Sequence, residues 1–433
     1  MSTHAPGPSG TLEQKLEQLL AAHTPGMGLA RPFYMDPEIF AHDMERIFRR
    51  HWHCAGHASR LSKTGDYFII RYEEEQVIIS RDSRGEIHAF LNVCRHRGAR
   101  ICDKPAGNVA GFVCPYHAWS YRLDGSLIGA RNMPKDFDPK AHGLKKLHVR
   151  LCEGMIFINF AAQPLAFDGV ENALRTTCGR YGWADAKIAY AENYPLNANW
   201  KLAIENYVEC YHCAPAHPEY AKTHALEQPL ERIEKLNADM EARTRALNVE
   251  VLTANRWQNS RTGEETIDTF RYALYDGVAS GSEDGSAVAP PMGQFTASDG
   301  GVTSIHVGGS TFLVCYPDYG MIYRFVPRGP QTTEMELIWL VRGDAVEGKD
   351  YDLDKLTWLW KVTTLEDKNI IERTAAGVRS HYFVPGPLAP MEYNERRYIA
   401  WYLDEIHTGD GPRGRQPRNT DADPTASLRR QSA

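Results

Sequence analysis

Two short segments carry most of the chemistry open to this sequence. Cys94-Arg95-His96 is followed, after seventeen residues, by Cys114-Pro115-Tyr116-His117. Each tight loop therefore sets a thiolate beside an imidazole, and two such loops can close over a metal. Two sulfurs with two imidazoles suit zinc, or a [2Fe–2S] centre in which two His replace two Cys on one iron. Structural zinc loops usually keep like ligands together, whereas each loop here is mixed.

The second segment is Glu205-Asn206-Tyr207-Val208-Glu209-Cys210-Tyr211-His212, followed by Pro215 and His217. On a helix Glu205, Glu209 and His212 fall at i, i+4 and i+7 and share one face. His217 would point elsewhere on an uninterrupted helix, but Pro215 lets the chain turn and bring it back. Two histidines plus one carboxylate, with positions left open, make the facial triad of non-haem iron(II) oxygenases. The carboxylate must come from a distant element. In Leu365-Glu366-Asp367-Lys368, on a helix expected over 353–375, the two acidic residues face roughly 100° apart.

Further residues turn these options into a resemblance. Gly98 follows the first pair, Gly111-Phe112-Val113 precedes the second, and Trp119-Ser120-Tyr121 with Asp124-Gly125 follows it. This text resembles the Rieske domain of the aromatic-ring-hydroxylating oxygenase superfamily, the Rieske non-haem iron oxygenases, over about residues 35 to 405. The resemblance implies that Cys94 and Cys114 hold one iron and His96 and His117 the other. Tyr116 stands where the respiratory Rieske type has a disulfide cysteine, and Cys102 has no loop partner, which favours the oxygenase type. The resemblance further implies a mononuclear iron on His212, His217 and Asp367, with O2 as co-substrate. It also implies a head-to-tail ring, usually a trimer, in which one subunit's cluster serves its neighbour's iron. By position Glu209 is the acidic bridge from His212 to His117 of the adjacent subunit, and Glu205 and Asn206 belong to the same catalytic motif.

The bridge in most of the superfamily is Asp. Glu209 resembles the branch that acts on quaternary ammonium compounds, such as glycine betaine monooxygenase and stachydrine demethylase. So do His217-Pro218-Glu219, Trp339-Leu340-Val341, Asp344-Ala345-Val346-Glu347-Gly348 and Pro385-Gly386-Pro387. The reaction implied is hydroxylation of an N-methyl group, the product collapsing to the demethylated amine and formaldehyde. The enzyme alternative is hydroxylation or dihydroxylation of an aromatic acid. A trimethylammonium group asks for an aromatic cage, because ring faces attract a cation that donates no hydrogen bond. Tyr207, Phe312, Tyr316, Tyr319, Tyr323 and Trp339 are the candidates. The chain has no Gly-x-Gly-x-x-Gly turn, so NAD(P)H and flavin are expected on a separate iron–sulfur reductase.

These residues need elements to position them. Short β-type runs at 67–72, 76–79, 86–93, 111–114 and 155–160 predict a small antiparallel β domain. Helical text at 12–22 and 37–51 precedes it. Beyond Leu165 helical text at 200–211, 226–247 and 353–375 alternates with strand-like text at 310–327 and 334–342. The expected class is α+β: a small all-β Rieske domain plus a larger catalytic domain of antiparallel sheet flanked by helices, which the resemblance makes helix-grip in type. The divisions expected are N-terminal helices packing on the catalytic domain (1–43), the cluster domain (44–162), the catalytic domain (163–407) and a disordered tail (408–433). Residues 276–301, rich in Gly, Ser, Ala and Pro, read as a long mobile loop.

With 49 Lys plus Arg against 55 Asp plus Glu, the net charge of −6 gives no bulk attraction for nucleic acid or anionic lipid. The N-terminus lacks a basic flank and an apolar core, and no stretch approaches the length of a membrane span. A cytoplasmic protein is expected. Its nine cysteines are then two cluster ligands and seven reduced thiols.

Overall fold

The computed structural model describes residues 10–225, 228–252, 256–258 and 263–407. The expected tail, and Leu226 at the start of one helical stretch, lie outside the described residues. Three short helices open the chain: α1 (Leu12–Ala22), α2 (Arg31–Met35) and α3 (Pro37–Asp43), the last running into a π-helical turn over Met44–Phe48. Thr11 and Gln14 form a reciprocal capping box at α1, and Asp36 caps α3.

The β domain contains the five expected runs and five further strands that were not expected. Its strands are β1 (His53–His57), β2 (Asp66–Tyr72), β3 (Glu75–Arg81), β4 (Ile87–Leu91), β5 (Ala106–Asn108), β6 (Phe112–Val113), β7 (Ser120–Tyr121), β8 (Leu127–Gly129), β9 (His148–Cys152) and β10 (Met155–Asn159). They pair antiparallel in three small sheets, ordered β1-β10-β9, β4-β3-β2-β5 and β6-β7-β8. The turn Glu153-Gly154 has positive φ at both residues, the primed geometry that suits the twist of the strands it joins. Gly154 is required there for a second reason: a Cβ would fall 2.2 Å from the His57 ring. Tyr67, Ile78, Phe90, Phe112, Trp119 and Tyr121 form a core of their own around Cys94 and Cys114.

The rest of the chain builds one seven-stranded antiparallel sheet. In chain order come α4 (Asp168–Thr176), β11 (Ala186–Leu196), α5 (Trp200–Val208), α6 (Cys213–Ala216), α7 (Pro218–Ala221), α8 (Leu230–Ala246), β12 (Arg256–Gln258), β13 (Ile267–Ala273), β14 (Gly301–Val307), β15 (Thr311–Cys315), β16 (Gly320–Gly329), β17 (Thr332–Arg342), α9 (Leu353–Val378) and α10 (Tyr393–Glu405). The strand order is β11-β17-β16-β15-β14-β13-β12. Alternation decides which residue faces which layer. Phe312, Tyr323, Leu337 and Trp339 share a core with α5, α9 and α10, while Leu313, Ile322, Ile338 and Leu340 pack on the other face with α4.

Three expectations change. The helix expected to continue to Tyr211 ends at Val208, and Glu209 takes extended backbone (φ −118°, ψ 161°). Glu205, Glu209 and His212 are therefore not three positions on one helix face. Residues 276–301 are irregular as expected, but packed against the sheet rather than loose: Ser280, Ser282 and Asp299 are buried, and Tyr319 donates to the Gly281 carbonyl at 2.6 Å. The third change is an addition. Helix α10, like strands β11, β13 and β14, was not expected, and its Tyr402 ring packs edge-on to Phe33 of α2 at 5.9 Å, which ties the N-terminal helices to α10. Among the described residues no helix is long and apolar enough to cross a membrane.

Candidate metal centres

The two Cys/His loops of the β domain have the same backbone frame. In the first, Gly98 N donates to Cys94 O at 3.0 Å and Cys94 N to Ala99 O at 2.9 Å; in the second, Ala118 N donates to Cys114 O at 3.0 Å and Cys114 N to Trp119 O at 2.8 Å. The residue after each four-residue ligand stretch is left-handed, Gly98 at φ +77° and Ala118 at φ +57°, a conformation that costs a residue with a Cβ roughly 1–2 kcal/mol. This frame turns both sulfurs inward and both imidazoles outward. Cys94 and Cys114 are buried, and burial pushes the Cys114 thiol up. His96 and His117 are exposed, their Nδ1 atoms 3.1 Å apart, with His96 stacked on Trp119. Tyr121 Oη lies 3.3 Å from Cys94 Sγ. Two soft donors below and two converging ring nitrogens above fit a [2Fe–2S] centre with mixed ligation.

The second site is assembled from four parts of the chain. The end of α5 supplies Asn206, the turn after it Glu209 and His212, and the corner between α6 and α7 His217. Helix α9 supplies Asp367, the one charged residue among its buried positions Leu356, Trp360, Thr364, Ile371 and their neighbours. A carboxylate on an apolar stripe is costly unless it is paired. It is paired twice: Asp367 Oδ1 lies 2.9 Å from His217 Nε2 and 3.3 Å from His212 Nε2. One donor atom from each of these three residues falls within 4.8 Å of the others, a set able to hold one ion. Burial tends to raise the Asp367 pKa, but the two imidazoles outweigh it and hold it below the usual range. Burial likewise lowers His212, while Asp367 and Glu209 push it up to about 9. Two imidazoles and one carboxylate on one side fit a mononuclear iron with open positions.

Around this set the expected residues divide. Glu209 accepts from His212 Nδ1 and from the backbone N–H of Tyr211. Asn206 Nδ2 is 3.3 Å from His212 Nε2. Glu205 takes no part in these contacts. It is buried and receives Tyr34 Oη at 2.9 Å, and burial, opposed by Tyr34 and Lys201, raises its pKa to about 8. The folded protein then keeps a proton on Glu205 that the unfolded chain releases above its ordinary value of 4.5, so stability is lost as pH rises from there to about 8. The effect amounts to a few kcal/mol. Thermal unfolding of metal-free protein should show a shallower fall in Tm over this window for Glu205→Gln than for the parent.

The cysteines depart from expectation. Cys210 and Cys213 are joined as a disulfide, so five thiols, not seven, remain beyond the two cluster ligands: Cys54, Cys102, Cys152, Cys178 and Cys315. The Cys-x-x-Cys spacing was the available signal. The bridge spans Tyr211 and His212 and closes the turn that presents their N–H groups to Glu209. Alkylation of denatured, cluster-free protein without reductant should modify the seven cysteines that are not bridged; modification of all nine would contradict the bridge.

Of the six aromatic candidates, Tyr207, Phe312 and Tyr323 form one group, with ring centroids 4.5 and 4.8 Å from Tyr207. Burial first, and the Asp367 charge among the rest, raises the hydroxyl pKa of Tyr207 and Tyr323. Tyr316 and Tyr319 stack on each other, tied to His224 and Trp360. Trp339 is elsewhere, against Tyr190 on the edge strand. Phe325 packs on Tyr207, Phe312 and Tyr323, and Tyr220, His224, Phe270, Tyr272, His306 and Trp360 extend the aromatic network; none of these was expected. Burial lowers both His224 and His306 to about 3, so the network carries no imidazolium charge at neutral pH.

Comparison with known proteins finds a family match for each of the two domains. Residues 51–148 match the Rieske [2Fe-2S] domain, and residues 183–408 match the catalytic domain of the ring hydroxylating alpha subunit. The chain is 36% identical over 386 residues to the glycine betaine monooxygenase oxygenase subunit of Chromohalobacter salexigens, covering 87% of this chain and 85% of that one. It is 34% identical over 396 residues to that of Pseudomonas aeruginosa, covering 90% and 91%. The fold is that of the quaternary ammonium Rieske monooxygenase CntA solved with L-carnitine (TM-score 0.65, 22% identity, 91% and 99% covered). It is equally that of naphthalene 1,2-dioxygenase from Rhodococcus (TM-score 0.66, 18% identity, 93% and 100% covered), so the fold alone does not choose a substrate. The protein belongs to the Rieske non-haem iron oxygenases, as an alpha subunit.

Proposed function

We propose that the protein is the terminal oxygenase of a system that N-demethylates a betaine-type quaternary ammonium substrate. The observation that carries this reading is its likeness, along most of both chains, to glycine betaine monooxygenase oxygenase subunits. The site agrees with it in charge. The Tyr207, Phe312 and Tyr323 rings and the neutral His224 and His306 set no charge against a cation, and each ring face it meets contributes about 0.5–2 kcal/mol to holding it.

Bound at the two centres, iron supplies O2 activation and the [2Fe–2S] cluster supplies single electrons, drawn from NAD(P)H through a flavin and iron–sulfur partner reductase. Overall, an N-methyl ammonium cation, O2, two electrons and two protons give the N-hydroxymethyl ammonium cation and water. Loss of formaldehyde and a proton then leaves the tertiary amine. The residues of this chain fix where that happens. Cys94, His96, Cys114 and His117 hold the cluster, and His212, His217 and Asp367 hold the mononuclear iron. Asn206 borders the ion position, and Tyr207, Phe312 and Tyr323 wall off water and orient the N-methyl group. Glu209 fixes the His212 tautomer and, in a head-to-tail oligomer, joins it to His117 of the adjacent subunit.

A substrate screen tests the reading. Reconstituted enzyme with a reductase should release formaldehyde with one or more trimethylammonium carboxylates; a cis-diol or phenol from aromatic acids, with no formaldehyde from any betaine, would contradict it.

A further inference from the structure

We propose that Glu366 is a positioning residue for the mononuclear iron, holding His217 in the tautomer and orientation that aim its Nε2 lone pair at the ion. The inference rests on the reading that His212, His217 and Asp367 form that site.

Glu366 and Asp367 are adjacent on α9 and grip the two nitrogens of one imidazole. Glu366 Oε2 lies 2.8 Å from His217 Nδ1, and Asp367 Oδ1 lies 2.9 Å from His217 Nε2. A carboxylate offers only acceptor atoms, so a ring nitrogen facing one permanently must carry the proton. If the ion takes Asp367 and His217 Nε2, the Nδ1–H has one partner left, and that partner is Glu366. The roughly 100° between successive helix residues makes this possible, since the two carboxylates reach the ring from different sides. His212 has the same arrangement, with Glu209 on Nδ1 and Asp367 facing Nε2. Each imidazole therefore has its own carboxylate behind it and shares the third in front.

Positions differ in a way that separates the two clamps. Glu209 sits in the turn between the end of α5 and His212, within the bridging route. Glu366 is one-third exposed on a helix that crosses the sheet, and its contact is with the buried His217 (1% exposed). The backbone of His217 is irregular (φ −126°, ψ 69°), anchored by its N–H on Cys213 O at 2.8 Å. Helix geometry does not fix its ring, and the Glu366 contact does. An outer partner of this kind typically contributes 10–100-fold to metal affinity.

The test uses the full chain with its cluster intact and the mononuclear site emptied by a chelator. Anaerobic titration with Co(II), read by its absorption bands and by chelator competition, gives the affinity without turnover. Glu366→Ala should weaken Co(II) binding roughly 10–100-fold and alter the Co(II) spectrum. Glu366→Gln, whose amide oxygen still accepts from Nδ1–H, should restore most of the affinity. Binding by both variants equal to the parent's would overturn the inference. So would a loss matched by a fall in the Tm of the ion-free protein, which marks a merely structural contact. A parent that binds no better than His217→Ala would instead bring down the underlying site, and the inference with it.

Discussion

Asp367→Ala should abolish stoichiometric mononuclear iron while leaving the cluster spectrum unchanged. The two halves of this expectation have separate physical grounds. Asp367 is the only charged group on the buried stripe of α9 and faces both histidine Nε2 atoms, so no neighbouring acid can replace it. Glu366 is already engaged on the far side of His217. The loss in iron affinity should therefore exceed the roughly 100-fold at the upper end of outer-partner substitutions, and product formation should fall with it. The cluster loops, by contrast, are packed by a core that contains neither α9 nor α5. Iron analysis beside the visible spectrum checks both halves. Stoichiometric mononuclear iron in the variant would show that another carboxylate is the ligand.

Glu209→Gln should keep both metals and still slow product formation sharply. Glutamine can accept one of the hydrogen bonds that Glu209 now takes from His212 Nδ1 and the Tyr211 N–H, so the turn should survive. The negative charge is what disappears. A hydrogen bond to a charged group is worth about 1.5–3 kcal/mol, which corresponds to roughly 10–100-fold in rate if it is needed to link the two histidines. Stopped-flow reoxidation of the reduced cluster, followed beside product, measures this directly. Unchanged turnover in a variant with full metal content would remove Glu209 from the route between centres.

Much of this site is legible in the amino-acid sequence. The Cys/His loops and the His212–His217 pair are readable by residue type and spacing, whereas Asp367 is separated from its neighbour Glu366 by the family resemblance. The β runs around Cys94 and Cys114 are readable for a similar reason: short alternating strands between Gly, Asp and Asn turns leave a clear period. Illegible features are those decided by long-range packing. The stop of α5 at Val208 is the local exception, set by the Cys210–Cys213 bridge, whose Cys-x-x-Cys spacing is visible in the sequence, and by the hydrogen bonds gathered on Glu209. Residues 276–301 look loose in composition, yet they are pinned by Asp318 and Tyr319, which are distant in sequence. Glu205 shares its motif with Asn206 and Glu209, but its environment is made by Tyr34, from a helix 171 residues away. The aromatic set illustrates both cases. Tyr207, Phe312 and Tyr323 converge on one another, whereas Trp339, on β17, is set by its register against Tyr190 of the edge strand β11.

The most direct test of the account follows the carbon that leaves. Reconstituted enzyme, supplied with electrons and a trimethylammonium carboxylate bearing N–CD3 groups, should release dideuterated formaldehyde in step with substrate loss, identified by mass after derivatisation. Absence of labelled formaldehyde, with oxygen consumed and an aromatic acid hydroxylated instead, would place the enzyme in the ring-hydroxylating branch and contradict N-demethylation.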